Sequence, residues 1–194
     1  MGGPNWVVGS NHNASQLEAA ERLGDVDTVQ PPFSAIRRDA AAEELPWCEA
    51  HRTVVIVYSP MQSGLLTGRF SAERASSLPR NDWRSRAAEF TGDKLQRNLE
   101  LAHALTPIAA RHSTTVAAVA VAWTLAWPGV SGAIVGARNT AQVDGWIDSS
   151  TLALDSKDLA VIADAIDAMA PAVAPYDHEL EVSGSVGQNL SARA

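Results

Sequence analysis

The chain has 194 residues, 46% hydrophobic and 19% charged, a balance that excludes disorder and suits a soluble domain with a real core. Its net charge of -7 argues against nucleic acid or an anionic membrane surface as a general partner. A single cysteine, Cys48, excludes an internal disulfide framework and fits a reducing compartment.

The opening Met1-Gly-Gly-Pro-Asn-Trp6 lacks the basic start and apolar stretch of a signal peptide, so a cytoplasmic location is the default expectation. From there, short β-branched runs alternate with helical patterns. Trp6-Val7-Val8 predicts a strand ending at Gly9-Ser10-Asn11, and Ala14 to Leu23 a helix with Leu17, Ala20 and Leu23 on one face. Asp27 to Gln30 reads as a strand closed by Pro31-Pro32, and Ala40 to His51 as a helix that Pro46 should kink or reset. Thr53 to Tyr58 is the clearest buried strand.

The segment from Ser59 to about Gly92 is rich in Gly, Pro and Ser; connections this long are usually functional. Asp93 to His112, interrupted at Pro107, and Thr115 to Trp127 are strongly helical. The second is too short to span a bilayer, which takes about 20 residues. Gly132 to Val135 predicts a strand, Asn139 starts a helix to about Ser149, and Ser156 should cap a last one reaching Met169. Residues 1–170 read as one domain, and 171–194 as a loosely ordered tail.

Strand and helix thus alternate four times, which predicts an α/β fold with a parallel sheet, either doubly wound or a (β/α) barrel. A closed barrel takes eight such units and typically about 250 residues. Four units make half of one, with two open edges and an uncovered interior face.

Ligands in both architectures bind at the C-terminal ends of the strands. The residues there are Ser10-Asn11, Gln30, Tyr58-Ser59-Pro60 and Gly136-Ala137-Arg138. They offer amides, a hydroxyl, an aromatic ring and a guanidinium, a set suited to a nicotinamide nucleotide. Taken singly each has a plainer reading: Tyr58 as the cap of a core strand, Gly64 and Gly68 as turn glycines, Arg138 as a solvated helix-entry residue. Trp123 and Trp127, one turn apart, read as helix packing. The histidines are scattered without metal-ligand spacing.

The ordered set of motifs resembles the second half of the aldo/keto reductase family. It comprises SN at 10–11, QPPFSAIRR at 30–38, YSPMQSGLLTGRF at 58–70, AVAVAWTLA at 118–126 and IVGARNTAQV at 134–143. The resemblance implies the C-terminal half of a (β/α)8 barrel and NADP(H)-dependent reduction of aldehydes or ketones. It further implies that Ser10, Asn11 and Gln30 hold the nicotinamide carboxamide and that Tyr58 stacks on its ring. Ser59, Pro60, Gly64, Leu65 and Gly68 would lie in the loop wrapping the pyrophosphate. Gly136 and Ala137 lead to Arg138, which would address the adenosine 2′-phosphate, with Gln142 one turn further on.

Gly145 and Trp146 depart from the Glu and Asn that commonly contact adenine in the family. The Asp, Tyr, Lys and His that carry its chemistry lie on its first four strands, and no residue here occupies those places. Tyr176, beside Asp177 and His178, matches none of them. Three expectations follow: a truncated gene or fragment; a half that pairs with a missing N-terminal half or a second copy; or a nonfunctional remnant. The loop from Tyr58 to Phe70 also resembles that of the potassium-channel β subunits, which leaves a cofactor-bound regulatory subunit as the alternative to a reductase.

Overall fold

The computed structural model describes residues 7–169. Four parallel strands form one sheet in the order β1-β2-β3-β4: β1 is Val8–Ser10, β2 Thr28–Gln30, β3 Val54–Tyr58 and β4 Val130–Ile134. Val8 pairs with Thr28 and Thr28 with Val54, so the strands start level. At the other end, Ser10 pairs with Gln30, Pro32 bridges to Tyr58 and Tyr58 pairs with Ile134. The C-terminal ends of all four strands therefore open on the same side.

Alternation along the strands sorts the two faces. Gly9, Val29, Val55 and Val57 point into the core, with Val29, Val55 and Val57 fully buried. The opposite face carries Val8, Val54 and Ile134, which remain about half exposed. Helices cover the first face only. They are α1 (Ala14–Glu21), α2 (Glu44–His51), α3 (Ala72–Ser76), α4 (Gly92–Ala104), α5 (Thr106–Arg111), α6 (Val116–Leu125), α7 (Thr140–Asp144) and α8 (Ser156–Asp167). Leu17, Leu45, Leu101, Ile108, Trp123 and Ile162 bring α1, α2, α4, α5, α6 and α8 into one core.

Helix α6 is apolar all round, and residues 116–124 are all buried, as expected of a central packing element. Trp123 stacks on Phe33 at 5.8 Å, and Trp127 meets Phe33 edge-on at 5.1 Å, so this pair packs rather than lining an aromatic box. A buried His112–Asp158 contact of 2.7 Å, joined by Arg111, ties the end of α5 to the start of α8. Cys48 is buried as well; desolvation, reinforced by Glu44, pushes its thiol up to about 11 and leaves it unreactive.

The structure corrects several boundaries. α1 stops at Glu21, leaving Leu23 at 93% exposure, because Leu23 and Gly24 close on the Ala20 carbonyl in a turn. A separate 3₁₀ turn, Asp39–Ala41, precedes α2, so the helix starts anew at Glu44 with Pro46 in its first turn, where its missing N–H costs nothing. The helix expected from Asn139 to Ser149 breaks after Asp144 into α7 and a 3₁₀ turn at Ile147–Ser150. Asp155, not Ser156, caps α8: its carboxylate accepts from the N–H groups of Lys157 and Asp158. The tail at 171–194 lies outside the described residues, as do Trp6, Tyr176, Asp177 and His178.

Candidate functional site

The site grows from two adjacent strand ends. β3 runs into Tyr58-Ser59-Pro60, β4 leads to Gly136-Ala137-Arg138, and these six residues border one cleft of about 800 Å³. Gln142, on the first turns of α7, borders it too, and its Oε1 accepts from the Arg138 backbone N–H at 2.7 Å. That bond, with Asn139 capping α7 at the Gln142 N–H, fixes the turn that carries the Arg138 side chain. No residue of the described chain lies within ion-pair distance of the Arg138 guanidinium.

The Tyr58 hydroxyl donates to Asn11 Oδ1 at 2.7 Å, joining β3 to the end of β1. Asn11 and Ser59, each just past a strand, both turn into the left-handed region, with φ of 58° and 60°. Such strained strand ends cluster at binding sites. Asn11 thus reaches the cleft through Tyr58, whereas Ser10 and Gln30, paired in register, sit further along the same end of the sheet and do not border it.

The loop after β3 continues in left-handed conformations at Gln62, Ser63, Gly64 and Gly68. Its glycines serve different ends. Gly64, at φ 105°, borders the cleft and has open space where a Cβ would stand. Gly68, at φ 70°, lies against α6, with Val116 3.0 Å from a Cβ placed there. The Leu65 side chain is fully buried in a satellite core with Phe70, Phe90 and Leu95, so only its backbone can meet a ligand.

That satellite core anchors a strap, residues 71–91, which brings Asn81, Asp82, Trp83 and Arg84 to the cleft. Trp83 packs edge-on against Phe90 at 5.6 Å. Arg84 binds Asp82 through two parallel bonds, Nε to Oδ1 at 3.0 Å and an Nη to Oδ2 at 2.6 Å. Arg84, with its side-chain and backbone N–H groups, and more weakly the charge of Arg138, holds the Asp82 carboxyl at about 2. Asp82 in turn raises the guanidinium of Arg84 above its ordinary range.

Arg69, Arg74 and Arg84 join Arg138 around the cleft, so a chain of negative net charge concentrates cations there. Strand-end reasoning finds Tyr58 and Arg138 but misses Asp82, Trp83 and the other three arginines. The available signal is compositional: Arg69, Arg74, Arg80, Arg84 and Arg86 crowd one segment. Among the described residues no group of His, Cys, Asp or Glu could hold a metal, and no helix is long and apolar enough to cross a membrane.

Comparison with known proteins places these features. The model of the Aldo/keto reductase family matches residues 7–167. The chain is 26% identical over 150 residues to the aldo-keto reductase YhdN of Bacillus subtilis, covering 77% of this chain and 45% of that one. It is 24% identical over 163 residues to the NADH-specific methylglyoxal reductase of Escherichia coli, covering 84% and 49%. A glycerol dehydrogenase from Gluconobacter oxydans superposes with a TM-score of 0.77 at 27% identity, covering 88% of this chain and 52% of that one. The chain thus spans about half the length of the relatives it matches.

Proposed function

Because the chain belongs to the aldo/keto reductase family, we propose that it forms the cofactor-holding half of an NADP(H)-dependent oxidoreductase that reduces aldehydes or ketones to alcohols. One observation carries the reading: Tyr58, Gly64, Arg138 and Gln142, from two strand ends and the loop after β3, converge on a single cation-rich cleft.

The cleft's donor set fits such a cofactor. Its volume lies within the range of small-molecule sites, about 300–1,000 Å³. The Tyr58 ring, steadied by Asn11, presents an aromatic face, and Ser10, Asn11 and Gln30 bring amide and hydroxyl groups to the same end of the sheet. The open space at Gly64 and Gly136 lets backbone approach anionic oxygens. Arg138 is the guanidinium placed to take a 2′-phosphate, and it supports NADP(H) over NAD(H). When bound, the cofactor supplies the hydride; these residues bind and orient it.

Reduction of a carbonyl also needs a proton donor and stabilisation of the developing alkoxide. The Tyr58 hydroxyl is engaged with Asn11, and we assign the cleft's cations to the cofactor's phosphates. On this reading the catalytic Asp, Tyr, Lys and His are assigned to four further strands of a complementary N-terminal half, on the same or a separate polypeptide, packed on the uncovered face. The half-exposed Val8, Val54 and Ile134 are the apolar surface such strands would bury. The test is an assay of the completed barrel against a panel of aldehydes and ketones with NADPH. Carbonyl-dependent NADPH consumption is expected; cofactor binding with no turnover on any carbonyl would overturn the reductase reading.

A further inference from the structure

Among the described residues, Asp82 is the one carboxylate bordering a cleft that also holds Arg69, Arg74, Arg84 and Arg138. It cannot swing away. Arg84 occupies both of its oxygens with side-chain N–H groups and adds a backbone N–H to Oδ1 at 3.0 Å. Arg84 is itself held, by an Nη bond to the Ser63 carbonyl at 3.4 Å and by the Phe70 ring at 6.0 Å. The side chains of Arg84 and Asp82 are 11% and 20% exposed. Asp82 and Arg138 border the same cleft but form no direct ion pair. The strap therefore holds a carboxylate, ion-paired with Arg84, in the same cleft as the guanidinium that the proposed function assigns to the 2′-phosphate.

On that reading of the cleft, we infer that Asp82 is a specificity-determining residue: it weakens the hold on a 2′-phosphorylated adenosine relative to one with a free ribose 2′-hydroxyl. A phosphate brought to Arg138 must share the site with the carboxylate, and like charges at close range repel. A ribose hydroxyl has the opposite effect, since it can donate to an acidic oxygen, the contact by which an acid commonly favours NAD over NADP. Arg138 and Asp82 then pull the preference in opposite directions, and the chain's own preference for the phosphorylated cofactor is modest.

The test measures dissociation constants of the full chain, as it assembles natively, for 2′,5′-ADP and 5′-AMP. The two probes carry the adenosine end alone and differ by one phosphate. Asp82→Asn, with Asp82→Ser as a second variant in case the first perturbs the strap, should tighten 2′,5′-ADP by about tenfold, the order of one removed charge repulsion. Binding of 5′-AMP should stay within about twofold or weaken. If both probes bind but shift by the same factor, Asp82 is only an anchor of the strap and the inference falls, while the cleft reading stands. If neither probe binds the unsubstituted chain, both the inference and the cofactor reading fall.

Discussion

Tyr58 and Arg138 divide the proposed recognition into two ends that single substitutions can separate. Tyr58→Ala removes the stacking face, worth about 1–3 kcal/mol by analogy with base–aromatic stacking, and should weaken NADPH roughly tenfold. It should leave 2′,5′-ADP unaffected, because that fragment has no ring to stack there. Arg138→Ala removes a charge-assisted contact of about 1.5–3 kcal/mol and should weaken NADPH and 2′,5′-ADP together while sparing NADH. Calorimetric titration of the three ligands reads both. Asp82 also sets a pH dependence. Its folded value of about 2 lies below the ordinary 3.8, so its contribution to docking the strap is complete above about pH 4 and is lost as the pH falls toward 2. The emission of Trp83, next in sequence and packed on Phe90, should report that release, and Asp82→Asn should abolish its pH dependence.

At the scale of elements, the loop after β3 and helix α6 depend on each other. Gly68 combines φ 70° with a close approach to Val116, so Gly68→Ala meets both backbone strain and a packing conflict. A loss of about 1–3 kcal/mol is expected in a denaturant titration, where Gly64→Ala, strained but facing open space, should cost less. β2 and β3 are readable in the sequence because each is a short β-branched run stopped at Pro or Ser-Pro, as TVVIVY before Ser59-Pro60 shows, whereas β4 carries Ser, Gly and Ala and starts at Val130, two residues before the expected Gly132. Helix ends are less readable: Leu23 keeps the apolar spacing of α1 yet lies beyond its last turn, since spacing records a face and not where hydrogen bonding stops. The Tyr58 and Arg138 ends of the site were visible at strand termini, where parallel sheets bind ligands. The Asp82–Arg84 pair was not, because the strap has no period and reaches the cleft only through the packing of Phe70, Phe90 and Leu95.

For the molecule as a whole, the sheet is one-sided. Helices bury Val29, Val55 and Val57, while Val8, Val54 and Ile134 on the other face stay half exposed. Among the described residues β1 and β4 each have one neighbouring strand, so their outer edges offer a template for further strands. Both features have one remedy: strands that pair with β1 and β4 and fill the concave face. On the proposed reading the catalytic groups would arrive on those strands, beside a cleft bordered by residues of this chain.

The most direct test is therefore a titration of this chain with NADPH, following energy transfer to the nicotinamide from Trp83 and Trp146, which both border the cleft. The account predicts saturable quenching that 2′,5′-ADP competes away and that Arg138→Ala weakens roughly tenfold or more. Quenching that does not saturate, or that the Arg138 and Tyr58 substitutions leave unchanged, would contradict it.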